Sequence, residues 1–397
     1  MSSAKTVLRH SLFVLIGLSS FAQAATLKIA SVSPLSGDLS PIGTELRRGV
    51  ELAVEARARA FKSQGYDLLL VPFDDQASAS RAGGIARDIV ADPAIVGVVG
   101  AVNSSVSNVI AQVFEGAQLA AVSPSSTDDT LTTHGWKSFS RLVAPDRAQA
   151  IAAATYLQEE ANAKNVYIVS DNTAYGNGLS TSVQDQLRRR NITVSGYVGI
   201  SDAAALAGAV KRIVDSQPDT VYFGGSDDTG AELVRALRTA GVTALFIGGN
   251  GLDAPSFAKR AGSAAAGVVY STVYGPVSAY SGSEVFEKQY TARYKSAPTG
   301  RALMAYDAAN VLLSAINTTL KSPAVLPTRA DVSGAVRKVK FEACVNKSAL
   351  LCESISGPVA FDPRGERMRT RVMLMRLGSD AKANILSTKT VAAESLR

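Results

Sequence analysis

From residue 25 onward, short apolar runs alternate with stretches of helical period. The runs at 27–33, 67–73, 95–102, 119–123, 165–170, 194–200, 220–225 and 244–248 are dense in β-branched and aromatic residues and bounded by Gly, Asp, Ser or Asn. That is the pattern of strands buried on both faces of a parallel sheet. Between them, Leu46, Gly49, Val50, Ala53 and Val54 share one helical face, as do Leu206, Ala209, Val210, Ile213 and Val214. Ser40-Pro41 reads as the N-cap and first helical residue of the first such helix. The β-α order repeats over 25–140 and again over 165–275, which predicts two doubly wound α/β lobes. Beyond 275 come helical patterns at 283–295 and 301–320, the latter with Ala302, Tyr306, Ala309, Leu313 and Ile316 in phase. A stretch bearing Pro323 and Pro327, a helix to about 340 and strand-like runs at 357–361 and 370–377 follow. They belong to neither repeat.

Composition narrows the class. A chain of 397 residues, 46% hydrophobic and 19% charged, has material for two large folded domains and excludes global disorder. The formal charge of +7 includes Lys5 and Arg9 of an N-terminal leader. The basic runs Arg188-Arg189-Arg190 and Arg364 to Arg371 lack interleaved aromatics, so they read as solvated helix or strand faces, and nucleic acid is not an expected partner. In the leader, Lys5, Arg9 and His10 precede an apolar run at 11–18 and the small-residue site Ala22-Gln23-Ala24. This predicts a signal peptide over 1–24, cleaved before Ala25, and a protein exported to the periplasm. In that oxidising compartment the two cysteines, Cys344 and Cys352, are expected to form a structural bridge contributing about 2–3 kcal/mol.

In an open parallel sheet, ligands bind beyond the carboxyl ends of the strands, where helix N-termini present unpaired N–H groups. Those positions hold Ser36 to Ile42, Asp74-Asp75, Asn103-Ser104-Ser105 and Ser123 to Thr127 in the first half, and Asp171 to Gly178, Ser226-Asp227-Asp228 and Gly249-Asn250-Gly251 in the second. Ser104 and Ser105 open a helix, so hydroxyls and backbone N–H groups together outline an anion site. The alternative is that Asn103 or Ser104 merely caps its own helix, and the cluster Ser125 to Thr127 carries the same ambiguity. Catalytic machinery is not expected. His134 is the one histidine after the leader and has no nucleophile motif around it. Neither a nucleophile elbow nor a P-loop occurs, Gly176-Asn177-Gly178 lacks the third glycine of a dinucleotide fingerprint, and the acid pairs lack calcium-loop spacing. No metal and no cofactor is expected.

Several blocks, in order along the chain, resemble the periplasmic amino-acid-binding proteins of the leucine/isoleucine/valine type that feed ABC importers. They are Pro34-Leu35-Ser36-Gly37 with Gly43 and Gly49, Phe73-Asp74-Asp75, Val122 to Thr127, Asp171 with Tyr175-Gly176, Tyr222-Phe223-Gly224-Gly225, and Gly357 to Asp362 with Gly365. The resemblance implies a type I periplasmic binding protein: two Rossmann-like lobes joined by a three-crossing hinge near 143–147, 273–277 and 356–362. Lobe 1 would comprise 25–143 plus 276–358, and lobe 2 144–275 plus 359–397. It further implies that Ser104 and Thr127, with backbone help around Ser125, hold a ligand carboxylate, that Tyr175 closes over the ligand from the second lobe, and that Ile42 and Val102 set pocket volume. Ser226 stands where the family pattern has a tyrosine, and Asn250 where it has an acid for the ligand ammonium. An amide supplies no countercharge, so either Asp227 replaces it or the ligand lacks an α-amino group, as an aromatic or aliphatic acid, keto acid or amide does. The implied partners are a small carboxylate-bearing ligand and an inner-membrane ABC permease, with the protein a monomer. A ligand-sensing module of the same fold, presenting to a membrane receptor, is the alternative; a secreted enzyme comes third.

Overall fold

The computed structural model describes residues 24–344 and 353–396. The predicted leader therefore lies outside the described residues except for Ala24, as does Cys352; Cys344 is disulfide-bonded.

The first sheet holds β1 (Ala25–Ser33), β2 (Tyr66–Asp74), β3 (Ile95–Gly100), β4 (Ala120–Ser123) and β5 (Phe139–Arg141). All are parallel, in the order β2-β1-β3-β4-β5. Its order reverses between β1 and β3, so the crossover helices α1 (Ser40–Ser63), α2 (Ala79–Ala91) and α3 (Ser104–Gly116) cover both faces and a crevice opens at the strands' carboxyl ends. Every residue of β3 is buried, which is why that segment reads as continuous apolar sequence rather than an alternation.

The second sheet runs β12-β11-β10-β9-β8-β6-β7. Its parallel part is β6 (Asn165–Ser170), β7 (Thr193–Gly199), β8 (Thr220–Gly224), β9 (Leu245–Gly248) and β10 (Val269–Thr272), wound with α4 (Asp146–Glu159), α5 (Ala174–Arg189), α6 (Ala203–Ser216), α7 (Asp227–Thr239) and α8 (Pro255–Ala261). An antiparallel hairpin, β11 (Arg369–Leu377) and β12 (Ala383–Ala392), extends it from β10. Three helices, α9 (Glu284–Tyr294), α10 (Gly300–Thr319) and α11 (Arg329–Val336), return to the first body. α10 is buried almost all round, as a helix apolar on every face must be. It lies against α1 so closely that a Cβ on Gly49 would sit 2.1 Å from the Ala302 carbonyl oxygen.

The α/β character and two-lobed architecture follow the sequence pattern, and most strands lie within one or two residues of their expected bounds. Several local expectations need correction. Ser40 is already helical: the N-cap is Leu39, with no side-chain cap. The run 357–361 makes only isolated bridges, at Val359 and Phe361, because Pro358 lacks the N–H a ladder requires. β5 spans only three residues, too short for a periodic signal, β10 is a further strand absent from the sequence reading, and β12 alternates weakly because it is an exposed edge. Among the basic runs, Arg367 is not solvated. It is buried and donates to the Pro358 carbonyl at 2.9 and 3.0 Å and to Ser356 Oγ at 2.8 Å.

The chain passes between the two bodies after β5, after β10 and before β11, and these passages are bonded together. Arg141 N donates to the Gly365 carbonyl at 3.0 Å. Arg141, fully buried, pairs with Glu366 and also donates to the Asp128 carbonyl at 2.6 Å. Among the described residues, no helix is long and apolar enough to cross a membrane.

Candidate functional site

The carboxyl ends of both sheets face one another across a cleft that encloses a cavity of about 170 Å³. All ten residues singled out from the sequence lie in its wall. Ile42, Val102, Ser104, Ser105, Ser125 and Thr127 come from the first body, and Tyr175, Ser226, Asp227 and Asn250 from the second. His134 is elsewhere, stacked on Trp136 with ring centroids 4.2 Å apart.

Two helix N-termini open into this cavity without side-chain caps. In α3 the first bond of the ladder runs from Ser107 N to the Asn103 carbonyl at 2.9 Å, so the N–H groups of Ser104, Ser105 and Val106 lie ahead of it. Asn103 makes no capping bond, and its Oδ1 is buried without a partner among the described residues. Nor does Ser104 cap the helix it begins: its hydroxyl accepts from Asp128 N at 3.4 Å. The self-capping alternative does not describe this helix. Anion affinity from the dipole and free N–H groups is therefore unspent. Across the cleft α7 is likewise uncapped by Ser226, but it carries its own acid, Asp227, in the first turn. Asp227 is 2% exposed and its Oδ1 has no partner among the described residues. Burial pushes its carboxyl above the usual range, Asp228 adding to this while Ser256, Arg260 and Arg301 oppose it. By contrast α5 is closed by Thr173, whose Oγ1 accepts from Gly176 N at 2.9 Å.

Asn250 is buried, and both acceptor positions of its side-chain oxygen are engaged. Its Oδ1 accepts from Gln149 Nε2 at 2.7 Å and from the Tyr175 hydroxyl at 3.0 Å, and its Nδ2 donates to the Tyr274 hydroxyl at 3.1 Å. The Tyr274 hydroxyl lies 2.8 Å from Ser125 Oγ and donates to the Ser125 carbonyl at 3.1 Å. Tyr175 Oη also accepts from Gly251 N at 2.9 Å, which fixes its ring against the cleft. Beneath the wall, Thr127 bonds the carboxyl of Asp146, which burial drives well above the carboxylate range, with the neighbouring Asp129 and Asp128 charges reinforcing it.

Sequence reasoning missed Arg301 and Tyr274. Arg301 lines the cavity and sits over the Tyr274 ring, 4.1 Å from its centroid. The available signal was a lone arginine heading a helix otherwise almost wholly apolar. Leu39 and Ala77 complete an aliphatic patch with Ile42 and Val102 on the first body's side. Among the described residues, no group of three or more His, Cys, Asp or Glu is placed to hold a metal ion.

A family model described as periplasmic binding protein matches residues 26–382. The Leu/Ile/Val-binding protein of Citrobacter freundii is 30% identical over 257 residues, which is 64% of this chain and 70% of that protein. Among solved structures, a leucine-binding protein of Thermotoga maritima superposes with a TM-score of 0.80 at 24% identity, over 93% of this chain and 99% of that one. A solute-binding protein of R. palustris in complex with benzoate gives 0.78 at 19% identity, over 93% and 98%. These two superpositions show the shared fold.

Proposed function

Because this chain belongs to the periplasmic binding proteins of the leucine/isoleucine/valine-binding type that serve ABC importers, we propose that it captures an aliphatic α-amino acid in the inter-lobe cleft and delivers it to an inner-membrane permease. The observation that carries this reading is the pair of uncapped helix N-termini facing each other. α3 bears no acid and suits a carboxylate, held by Ser104, Ser105, Ser125 and Thr127. α7 bears Asp227, whose Oδ1, without a partner among the described residues, suits an ammonium. Asn250 occupies the family's acid position, but its amide is committed to Tyr175, Gln149 and Tyr274, so Asp227 is the group left to receive the ligand's N–H. The patch of Leu39, Ile42, Ala77 and Val102 suits an aliphatic side chain. A cavity of about 170 Å³ is smaller than the ~300 Å³ lower bound of drug-sized sites.

The lobe division at 143/144, 275/276 and 358/359 is part of the same reading. It is supported by the packing of α10 and α11 on β3 and β4 and of α4 on β10 and β11. Hinge closure over the ligand then brings Tyr175 and Asn250 onto the first lobe's carboxylate site.

Calorimetric titration of ligand-stripped protein with leucine and with its des-amino counterpart 4-methylpentanoate isolates the ammonium. Leucine is expected to bind the tighter by about 2 kcal/mol or more. Comparable binding of the acid would move the search to non-amino carboxylates, the class to which the benzoate of the R. palustris structure belongs. Uptake unchanged in a strain lacking the protein would count against delivery to a permease.

The two probes should also respond oppositely to pH. A ligand ammonium favours ionised Asp227, so leucine affinity falls as pH drops through the raised Asp227 pKa. A second carboxylate without an ammonium favours the protonated form, so affinity for 4-methylpentanoate falls as pH rises through the same range. Titrations on either side of that range, in buffers of different ionisation enthalpy, check both slopes. Parallel pH profiles would remove Asp227 from the site.

A further inference from the structure

Arg301 joins elements that belong to different bodies. It stands in the first turn of α10, a helix packed against α1, β3 and β4. Its guanidinium reaches across to the turn after β9. Nη2 donates to the Asn250 carbonyl at 2.9 Å and the Asp253 carbonyl at 3.2 Å, and Nε to the latter at 3.4 Å. Its flat face lies on Tyr274, in the passage that follows β10. The residue is 8% exposed, and none of its nitrogens forms an ion pair within bonding distance among the described residues; its charge is balanced at longer range by Asp253, Glu45 and Asp227.

The hydrogen bonds of this buried guanidinium go to backbone carbonyls of the other body. From its place in the cavity wall, it adds three hydrogen bonds from one body to the other. The cross-cleft ion pair of Arg260 with Asp38, at 3.8 Å, is solvent-exposed, and such pairs contribute little.

We propose that Arg301 is the clasp of the closed state: a positioning residue that sets how long the two lobes stay shut, and so the residence time of the ligand, without itself defining which ligand enters. The inference rests on the cleft being the ligand site. Opening costs the charge-assisted bonds to the Asn250 and Asp253 carbonyls, whereas association with the open form meets an arginine that has yet to engage. The clasp therefore acts on dissociation and on the closed fraction.

The experiment places cysteines at the cleft mouth, Asp38→Cys with Arg260→Cys, and measures the rate at which a short bis-maleimide links them in ligand-free protein. That rate follows the closed fraction, and the native Cys344 is already disulfide-bonded. Arg301→Gln is expected to slow linkage by about tenfold or more, the scale of losing charge-assisted hydrogen bonds. Arg301→Lys, which keeps the charge and one donor, should fall between. In protein without the added cysteines, leucine dissociation should accelerate by a similar factor while association stays within about twofold. Asp38→Asn alone should change neither. A linkage rate in Arg301→Gln equal to that of the parent overturns the clasp, as does a parent that never links, or an affinity loss lying wholly in association. If Arg301→Gln does not fold, an unaltered rate in Arg301→Lys overturns it equally. A parent that links but binds no leucine refutes the amino-acid assignment and leaves the clasp to be judged on linkage alone.

Discussion

Replacing Asp227 by asparagine is expected to weaken leucine binding by about 2–5 kcal/mol, the cost of removing one member of a buried, hydrogen-bonded charge pair, and to leave 4-methylpentanoate bound as well as before or better. The asymmetry follows from the site. Asp227 is nearly inaccessible, with one carboxylate oxygen lacking a partner among the described residues, so an arriving ammonium gains a full charge-assisted bond there. Asparagine keeps the shape but presents a neutral amide to a desolvated cation. For the des-amino acid the same change removes a potential negative charge from the cleft and costs nothing. The substitution should also flatten the opposed pH slopes of the two probes, because the titrating group is gone. Loss of both ligands together would mean that Asp227 supports the fold of the α7 N-terminus rather than the ligand. Calorimetry of the variant with both probes decides it, with the thermal melt as the control for folding.

The second large effect concerns the passages between lobes. Glu366→Gln is expected to destabilise the protein by about 3–5 kcal/mol, because it leaves the Arg141 charge buried without its counterion. Arg141 is fully buried, its Nε donates to Glu366 Oε2 at 2.9 Å, and a second contact joins Nη2 to Oε1. Thr132 donates to the same carboxylate. Burial alone would raise the Glu366 pKa, but the Arg141 charge and the bonds from Arg141 and Thr132 outweigh it and hold the group below its ordinary value. A depressed folded-state pKa contributes stability that is present above the unfolded value, about 4.3 for glutamate, and is lost as pH falls through the folded value. Urea unfolding of the parent should therefore weaken in that acid range, and the variant should lose that part of its pH dependence. An unfolding free energy within about 1 kcal/mol of the parent at neutral pH would show that the passages are held without this pair.

Much of the fold was readable because it is written in local pattern. β3 and β6 are buried on both faces and appear as uninterrupted apolar runs, and α1 and α6 carry clean helical stripes. Two strands lack such a pattern: β5 is too short, and β12 is a half-exposed edge. The inward turn of Arg367 onto the Pro358 carbonyl is not legible in the sequence, because a run of arginines gives no sign of which one is buried.

The candidate site was legible to a similar depth and for a similar reason. In a doubly wound sheet, the residues just after each strand arrive at one edge by topology, so Ser104, Thr127, Tyr175, Ser226, Asp227 and Asn250 could be named from their places after strands. Whether Asn103 caps α3 or leaves it open to an anion depends on where one side chain turns, and this the sequence leaves undecided.

By itself, then, the sequence determined the class of fold, the two-lobed repeat and the strand-end positions that line the cleft, because periodicity and topology act over neighbouring residues. Only the tertiary structure decided that Asn250 is bonded to Tyr175, Gln149 and Tyr274, that Asp227 Oδ1 has no partner among the described residues, and that Arg301, fifty-one positions from Asn250, reaches across to hold its backbone. Those facts depend on contacts between segments far apart in the chain, and hydrogen-bond geometry and desolvation between such segments exist only once the two bodies are packed together.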